Sequence, residues 1–220
     1  KIDFLNEYSL SSSSVEIVTD ESQIVEAPIP NFWKEALLSD SLEERKEKIL
    51  SVWKEYSSSD LRNTISYLGD YLKNIDLICL DGEYSLLYTI LTYQTGEEIY
   101  YEGKQPVTVE VLKQKFGENA PTIKQSIADF YTHIHIGFYD YTSKSMGIDN
   151  LKNVNSMADY DWEYLQQLDI DLIPLYNFFS NVVLDIENGN TYLWSSRELP
   201  KRQSDFWALV DEWIIIGLDF

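Results

Sequence analysis

The sequence predicts an α+β fold: one mainly antiparallel sheet flanked by helices, with a helical N-terminal third and a C-terminal hairpin followed by a helix. Three observations lead there. First, the apolar runs Leu175–Phe179 and Val182–Ile186 are followed by Glu187-Asn188-Gly189-Asn190 and then by Thr191-Tyr-Leu-Trp-Ser195. Asn-Gly between runs of β-branched and aromatic residues marks a hairpin, because a type I′ turn needs positive φ at both central positions. The runs are apolar enough for inner strands covered on both faces. Second, Phe206, Val210, Trp213, Ile214 and Gly217 recur at helical spacing over residues 205–217, with Ser204 placed to cap the first turn. Third, helix signals crowd the N-terminal third and strand-rich segments follow, without the regular alternation of a doubly wound sheet.

Taken in order, Lys1–Ala27 is polar, with a serine run from Ser11 to Ser14 before Val15-Glu-Ile-Val18. It reads as a loosely held arm with one short strand, ended by Pro28 and Pro30. Phe32, Trp33, Ala36 and Leu37 make a short amphipathic helix. Ser41-Leu-Glu-Glu44 is a capping box, opening a helix through Ile49, Leu50 and Trp53 to about Tyr56. After the break Ser57–Ser59, Ser59 or Asp60 is placed to cap a helix through Leu61, Ile65, Leu68 and Leu72. Ile75–Leu80, Asp81-Gly82 and Tyr84–Tyr93 form a second hairpin signal, although Leu86–Leu91 also fits a helix. Ile99–Tyr101 is a short strand. Thr108–Phe116 is a helix closed by Gly117. Pro121 begins another, with Ile123, Ile127, Phe130, Tyr131 and Ile134 on one face, and Gly137-Phe138-Tyr139 leaves it as a strand. Met157–Leu168 reads as a helix with an acidic outer face. The chain thus divides into an arm (1–30), a helical and hairpin part (31–105) and an α+β core (106–220), the last two compatible with one domain.

Asp+Glu number 37 against 17 Lys+Arg, a formal net charge of −20 over 220 residues. A field that strong serves solubility, and it also speeds encounter with a cationic partner. It argues against nucleic acid, since no Lys/Arg cluster offers phosphates a basic face. Cys79 is the only cysteine, so an internal disulfide is impossible and a reducing, cytoplasmic setting is expected. No apolar run reaches the roughly 18–20 residues of a membrane span, and the first residues lack a leader pattern.

Motifs with catalytic spacing are absent: there is no Gly-rich phosphate loop, Gly-x-Ser-x-Gly elbow or Cys-x-x-Cys. His133-Ile-His135 would place two imidazoles on one face of a strand, as zinc sites require, but apart on a helix. Structural or interface histidines are the favoured reading. Carboxylate pairs such as Asp211/Glu212 are as frequent as so acidic a composition produces. Ile148–Ser156 is rich in oxygen ligands but lacks the Gly and terminal Glu of an EF-hand loop. The sequence therefore assigns no catalytic, cofactor or metal residues. The candidates for partner binding are Tyr139, Asp140, Tyr141, Asp159, Tyr160, Asp161, Trp162, Glu163, Asp169 and Asp171. They mix aromatic anchors with carboxylates in polar stretches, as interface cores and rims do. The competing reading is of half-buried aromatics at a sheet edge.

Lys115-Phe-Gly-Glu-Asn-Ala-Pro121 followed by Ile127-Ala-Asp-Phe-Tyr-Thr-His-Ile-His-Ile-Gly-Phe138 resembles the motif of the SUKH superfamily. These are bacterial toxin-immunity proteins related to fungal cell-wall synthesis regulators. Pro121 matches the helix start, Phe130 and Tyr131 the aromatic pair, and Gly137 the turn glycine. Ile136 stands where many members carry Asn. Val183–Ile186, Asn188-Gly189, Tyr192–Trp194 and Phe206-Trp207 resemble the family's closing hairpin and helix, so the likeness covers residues 106–220. It implies an α+β sheet flanked by helices and a role in binding and blocking a polymorphic toxin, often a basic nuclease. It brings no catalytic residues. The alternatives are a regulatory scaffold, or a hydrolase using paired carboxylates and a metal at His133 and His135. The lack of catalytic spacing favours binding over hydrolysis.

Overall fold

The computed structural model describes residues 1–117, 124–155, 172–177, 181–185, 188–195, 198–203 and 205–219. Among them, ten strands form one antiparallel sheet whose spatial order is the chain order. They are β1 (Glu16–Val18), β2 (Leu72–Leu80), β3 (Glu83–Leu91), β4 (Glu98–Lys104), β5 (Phe138–Asp140), β6 (Gly147–Ile148), β7 (Leu172–Asn177), β8 (Asn181–Asp185), β9 (Thr191–Trp194) and β10 (Lys201–Gln203). The expected α+β class, with a helical N-terminal region and a closing helix, is what the structure has.

The β2–β3 hairpin follows from local chemistry. Asp81 and Gly82 both sit at positive φ, 52° and 80°, and join strands paired from Leu80↔Glu83 to Leu72↔Ile90. This is the two-residue turn that the dipeptide calls for. Leu86–Leu91 is strand: side chains alternate, with Leu86, Tyr88 and Ile90 entering the main core and Leu87 the opposite face. The other expected hairpin, β8–β9, pairs Val182↔Leu193 and Leu184↔Thr191, and Val182, Val183 and Leu184 are fully buried. Its connection is not a type I′ turn. Of the described residues 188–190, only Gly189 takes positive φ (68°), and the Gly189 N–H donates to the Asp185 carbonyl while Asn188 N–H and its amide both donate to the Asp185 carboxylate. The carboxylate closes a wider loop, so Asn188 need not enter the left-handed region.

All helices but the first cover one face. Between β1 and β2 lie α2 (Glu21–Glu26), α3 (Asn31–Leu37), α4 (Leu42–Ser57) and α5 (Arg62–Tyr71), while α1 (Ile2–Glu7) precedes β1. Between β4 and β5 lie α6 (Val109–Phe116) and α7 (Gln125–Asp129). The latter widens into a π-turn, Phe130–Ile134, closed by the His135 N–H on the Phe130 carbonyl. The widening buries Phe130, Tyr131 and Ile134 together. The helix start expected at Pro121 and the helix expected at 157–168 lie outside the described residues. One continuous core runs from Val18 to Leu218. Residues 1–27 do not form the loose arm that their polarity suggests. Leu5 and Val15 are buried against Ile78, Leu87, Tyr100 and Tyr141 on the far face of the sheet, and the Tyr141 hydroxyl donates to the Leu5 carbonyl at 3.0 Å.

The final helix, α8 (Phe206–Leu218), is capped by Asp205, which accepts from the Ala208 N–H at 3.1 Å; Ser204 lies outside the described residues. Trp194 is buried, but Trp213 is only half-buried, edge-on to Tyr176. Gly217 lets α8 approach the sheet, since a Cβ there would stand 2.6 Å from the Tyr101 hydroxyl. Ser41 caps α4 as its box predicts, through the Glu44 N–H at 3.2 Å. Neither Ser59 nor Asp60 caps α5. Asp211, from the middle of α8, accepts from Asn63 N–H (3.1 Å), Thr64 N–H (2.8 Å) and the Thr64 hydroxyl (2.7 Å). A carboxylate remote in sequence thus satisfies the orphan amides of another helix's first turn. Replacing Asp211 by Ala should cost about 2–3 kcal/mol in chemical denaturation, and Asp211→Asn less, because one acceptor oxygen survives. A loss below about 0.5 kcal/mol for the Ala variant would show that α5 holds its first turn without this contact.

Candidate functional site

On β4, Tyr100, Glu102 and Lys104 share the face away from the helices, while Tyr101 and Gly103 point to them, as a period of two requires. Glu102 is paired in register with Leu87 on β3 and Tyr139 on β5. Around it the sheet and the 141–154 segment enclose a pocket of about 530 Å³. Glu102 is 5% exposed; Ser85 donates to it at 2.7 Å, Lys104 lies at 2.8 Å and Lys144 at 3.6 Å. Burial works to raise its carboxyl, but the two ammonium groups and Ser85 outweigh that and hold it below the usual range. Burial lowers Lys144 despite Glu102 beside it, and its ammonium sits 3.4 Å over the Tyr141 ring. The Tyr139 phenol is raised by burial and then by the charge of Glu102, and Tyr141 is pushed up to about 12 by the same pair of causes.

Asp149, just past β6, lines the same pocket. Burial alone pushes its carboxyl up to about 7. Its backbone is held by its N–H on the Leu175 carbonyl and by the Tyr131 hydroxyl on its own carbonyl, whereas its carboxylate receives no hydrogen bond among the described residues. At the rim, Lys152 faces Glu83 at 3.4 Å.

The two histidines part company. His135 is buried among Trp33, Trp53, Tyr88 and Phe138, and burial lowers it to about 3. The neutral ring donates from Nδ1 to the Lys104 carbonyl (2.9 Å) and accepts at Nε2 from the Tyr88 hydroxyl (2.8 Å). It lies directly over Gly103, where a Cβ would stand 2.5 Å from the ring. His133 lies half-exposed, stacked on Tyr56 at 3.9 Å. Among the described residues, no group of three His, Cys, Asp or Glu converges as a metal would need.

No protein-family model, curated protein or solved structure matches the chain. Its chemistry has to be read from the geometry: fixed charges, amides and phenols around a polar pocket, an arrangement suited to holding a charged group. No helix among the described residues is long and apolar enough to cross a membrane.

Of the ten residues expected to bind a partner, seven (Asp159, Tyr160, Asp161, Trp162, Glu163, Asp169, Asp171) lie outside the described residues. Tyr139, Asp140 and Tyr141 are buried, 7%, 9% and 1% exposed, so none protrudes as an interface anchor. The physical reason is their position in and beside β5, with strands on both sides. Asp140 accepts from Ser143 N–H and the Thr142 hydroxyl to shape the turn before β6, while Tyr139 and Tyr141 line the pocket. The sequence reading missed Glu102, Lys104, Lys144 and Asp149. A signal existed for the first two, since two charged residues at i and i+2 in a strand share a face; Asp149 was visible only as one oxygen ligand of the 148–156 stretch.

The ionisation of Asp149 has a definite sign in stability. Between its ordinary value of 3.8 and about 7, the folded chain keeps a proton that the unfolded chain has lost, so stability falls as pH rises through that window. His135 works the other way. Below 6.5 the unfolded chain takes up a proton that the folded one refuses, so stability falls as pH drops from there toward 3. The two slopes oppose each other from about pH 4 to 6.5, and the wild-type profile alone hides both. Urea denaturation of wild type and Asp149→Asn at several pH values separates them. From pH 4.5 to 7 the variant should gain about 3 kcal/mol relative to wild type, at about 1.4 kcal/mol per unit. A difference independent of pH would mean that Asp149 titrates at its ordinary value.

Proposed function

We propose that this chain is an acidic, non-enzymatic binding protein that neutralises a basic toxin, an immunity protein of the SUKH type acting in the cytoplasm. The observation that carries the reading is the net charge of −20. Like charges at this density repel and cost stability, and solubility of a small domain is served by a magnitude of about 2–8. The excess suits a partner whose own surface is cationic, such as a nuclease whose phosphate-binding cleft an acidic protein fills. The element order supports the same reading: a π-turn carrying Phe130 and Tyr131, the Gly137 turn, a late hairpin and a closing aromatic helix follow one another as in the resemblance. The hydrolase alternative loses its proposed metal pair, because His135 is enclosed and both its nitrogens are engaged inside the protein.

The test begins with any basic protein found encoded beside this chain, or one captured by it from the source cell. Association should be fast at low salt and slow steeply as ionic strength passes about 0.1 M, where the screening length is about 10 Å, with dissociation changing far less. The partner's toxicity on expression should be relieved by co-expression of this chain. An association rate insensitive to salt, or a partner that is itself strongly acidic, would leave the charge as a solubility device and end this reading.

A further inference from the structure

We infer that the pocket on the open face of the sheet seats a cationic side chain, lysine or arginine, of the partner polypeptide on the carboxylate of Asp149. This deepens the proposed function and rests on its premise of a basic partner. Three observations combine. The cavity, about 530 Å³, is far larger than a side chain end requires, and it lies on the sheet face that α1 shares, opposite α2–α8. Its acids are unequally served: Glu102 holds Lys104 and Lys144, and Glu83 holds Lys152, so each lysine of the pocket already has a carboxylate. Asp149 is the acid left over. The groups near enough to feel its charge are phenols, Tyr131 from the π-turn, Tyr139 from β5 and Tyr176 from β7, and the Tyr176 hydroxyl is itself buried with no partner.

A part-buried carboxylate without a donor is costly when ionised, and an incoming ammonium or guanidinium offsets that cost against its own desolvation. Burial is the sole cause shifting Asp149, and the charge of each lysine in the pocket is already offset by Glu102 or Glu83. Asn150, Asn153 and Asn181 line the same wall and supply amide oxygens for the remaining N–H donors of a guanidinium. A divalent metal is a poorer fit, because one carboxylate with neutral amides does not offset its charge, and no three metal-ligating side chains converge among the described residues.

The probe is L-argininamide, added to the intact protein at pH 7 and followed by carboxyl-selective NMR. The Asp149 titration midpoint should fall by about one unit or more, because a paired cation favours the charged form. Backbone amides of 148–150 should shift with it, and N-acetylglutamate should do neither. Asp149→Asn, which mimics the protonated side chain in shape, should fold and lose both responses. In complex with the basic partner, the same variant should raise Kd at least about tenfold through faster dissociation, with the salt dependence of association unchanged. Argininamide shifts that persist in Asp149→Asn, or that spread over the acidic surface and spare 148–150, would overturn the inference. A partner that binds Asp149→Asn with unaltered affinity would overturn it too while sparing the proposed function. Argininamide seated at Asp149 in a chain that binds no basic protein would do the reverse.

Discussion

A neutral histidine holds the middle of the sheet to its helices. His135 follows the π-turn, and that one-residue widening turns its ring inward to meet Trp33 of α3, Trp53 of α4 and Tyr88 of β3 at once. Its Nδ1–H reaches the Lys104 carbonyl and its Nε2 takes the Tyr88 hydroxyl, so both polar atoms of a fully enclosed ring are satisfied. A buried ring with one nitrogen unpaired would cost about 1–3 kcal/mol, and a protonated one more, which is why burial alone depresses its ionisation. The ring needs room, and Gly103 provides it by having no side chain. The backbone of Gly103 and Lys104 is thereby fixed from the helix side, which fixes where Glu102 and the Lys104 ammonium emerge on the other side. Core and pocket are two faces of one strand.

Legibility in the sequence followed how local each determinant is. Asp81-Gly82 specifies its hairpin because two adjacent residues carry the whole requirement of positive φ, and Ser41 caps α4 because its acceptor lies three residues away. Asn188-Gly189 misled as to turn type because Asp185, outside the dipeptide, supplies the acceptors that close the loop. The cap of α5 was out of reach of any local rule, being Asp211, some 147 residues downstream in the pair with Thr64. The N-terminal arm misled for a related reason: its few apolar residues, Leu5 and Val15, fill a small cluster whose other members come from β2, β3, β4 and the segment after β5. Of the candidate site, the aromatic and acidic character of 139–141 was visible, but not that adjacent strands bury those residues. Asp149 was visible only within the oxygen-rich stretch 148–156; what singles it out is that no donor among the described residues reaches its carboxylate.

The ionic cluster at Glu102 sets a limit on what the pocket does for stability. Taking a carboxylate and two ammonium groups out of water costs several kcal/mol per ion, and their attraction recovers roughly that much, so the cluster is weak as a source of folding free energy. Its worth lies in placement. Lys104 and Lys144 approach Glu102 from β4 and from the turn before β6, and the Lys144 ammonium also covers the Tyr141 ring that closes over Leu5. The two ammonium groups are thereby held at Glu102 on the pocket wall.

A chain with net charge −20 has no shortage of carboxylates, and at one that faces water a cation is held weakly and salt screens it. Such a surface attracts any basic protein and distinguishes poorly among them. Discrimination requires a carboxylate whose unpaired state is expensive and whose surroundings admit one shape of cation, because the penalty for a wrong partner is then paid in desolvation, which salt does not screen. Asp149 meets that condition because the pocket's three lysines are each paired with Glu102 or Glu83, and the groups that feel its charge are the phenols of Tyr131, Tyr139 and Tyr176. On the proposed reading, the diffuse charge would set how often a basic surface arrives, and the donor-free carboxylate of Asp149 would set which one stays.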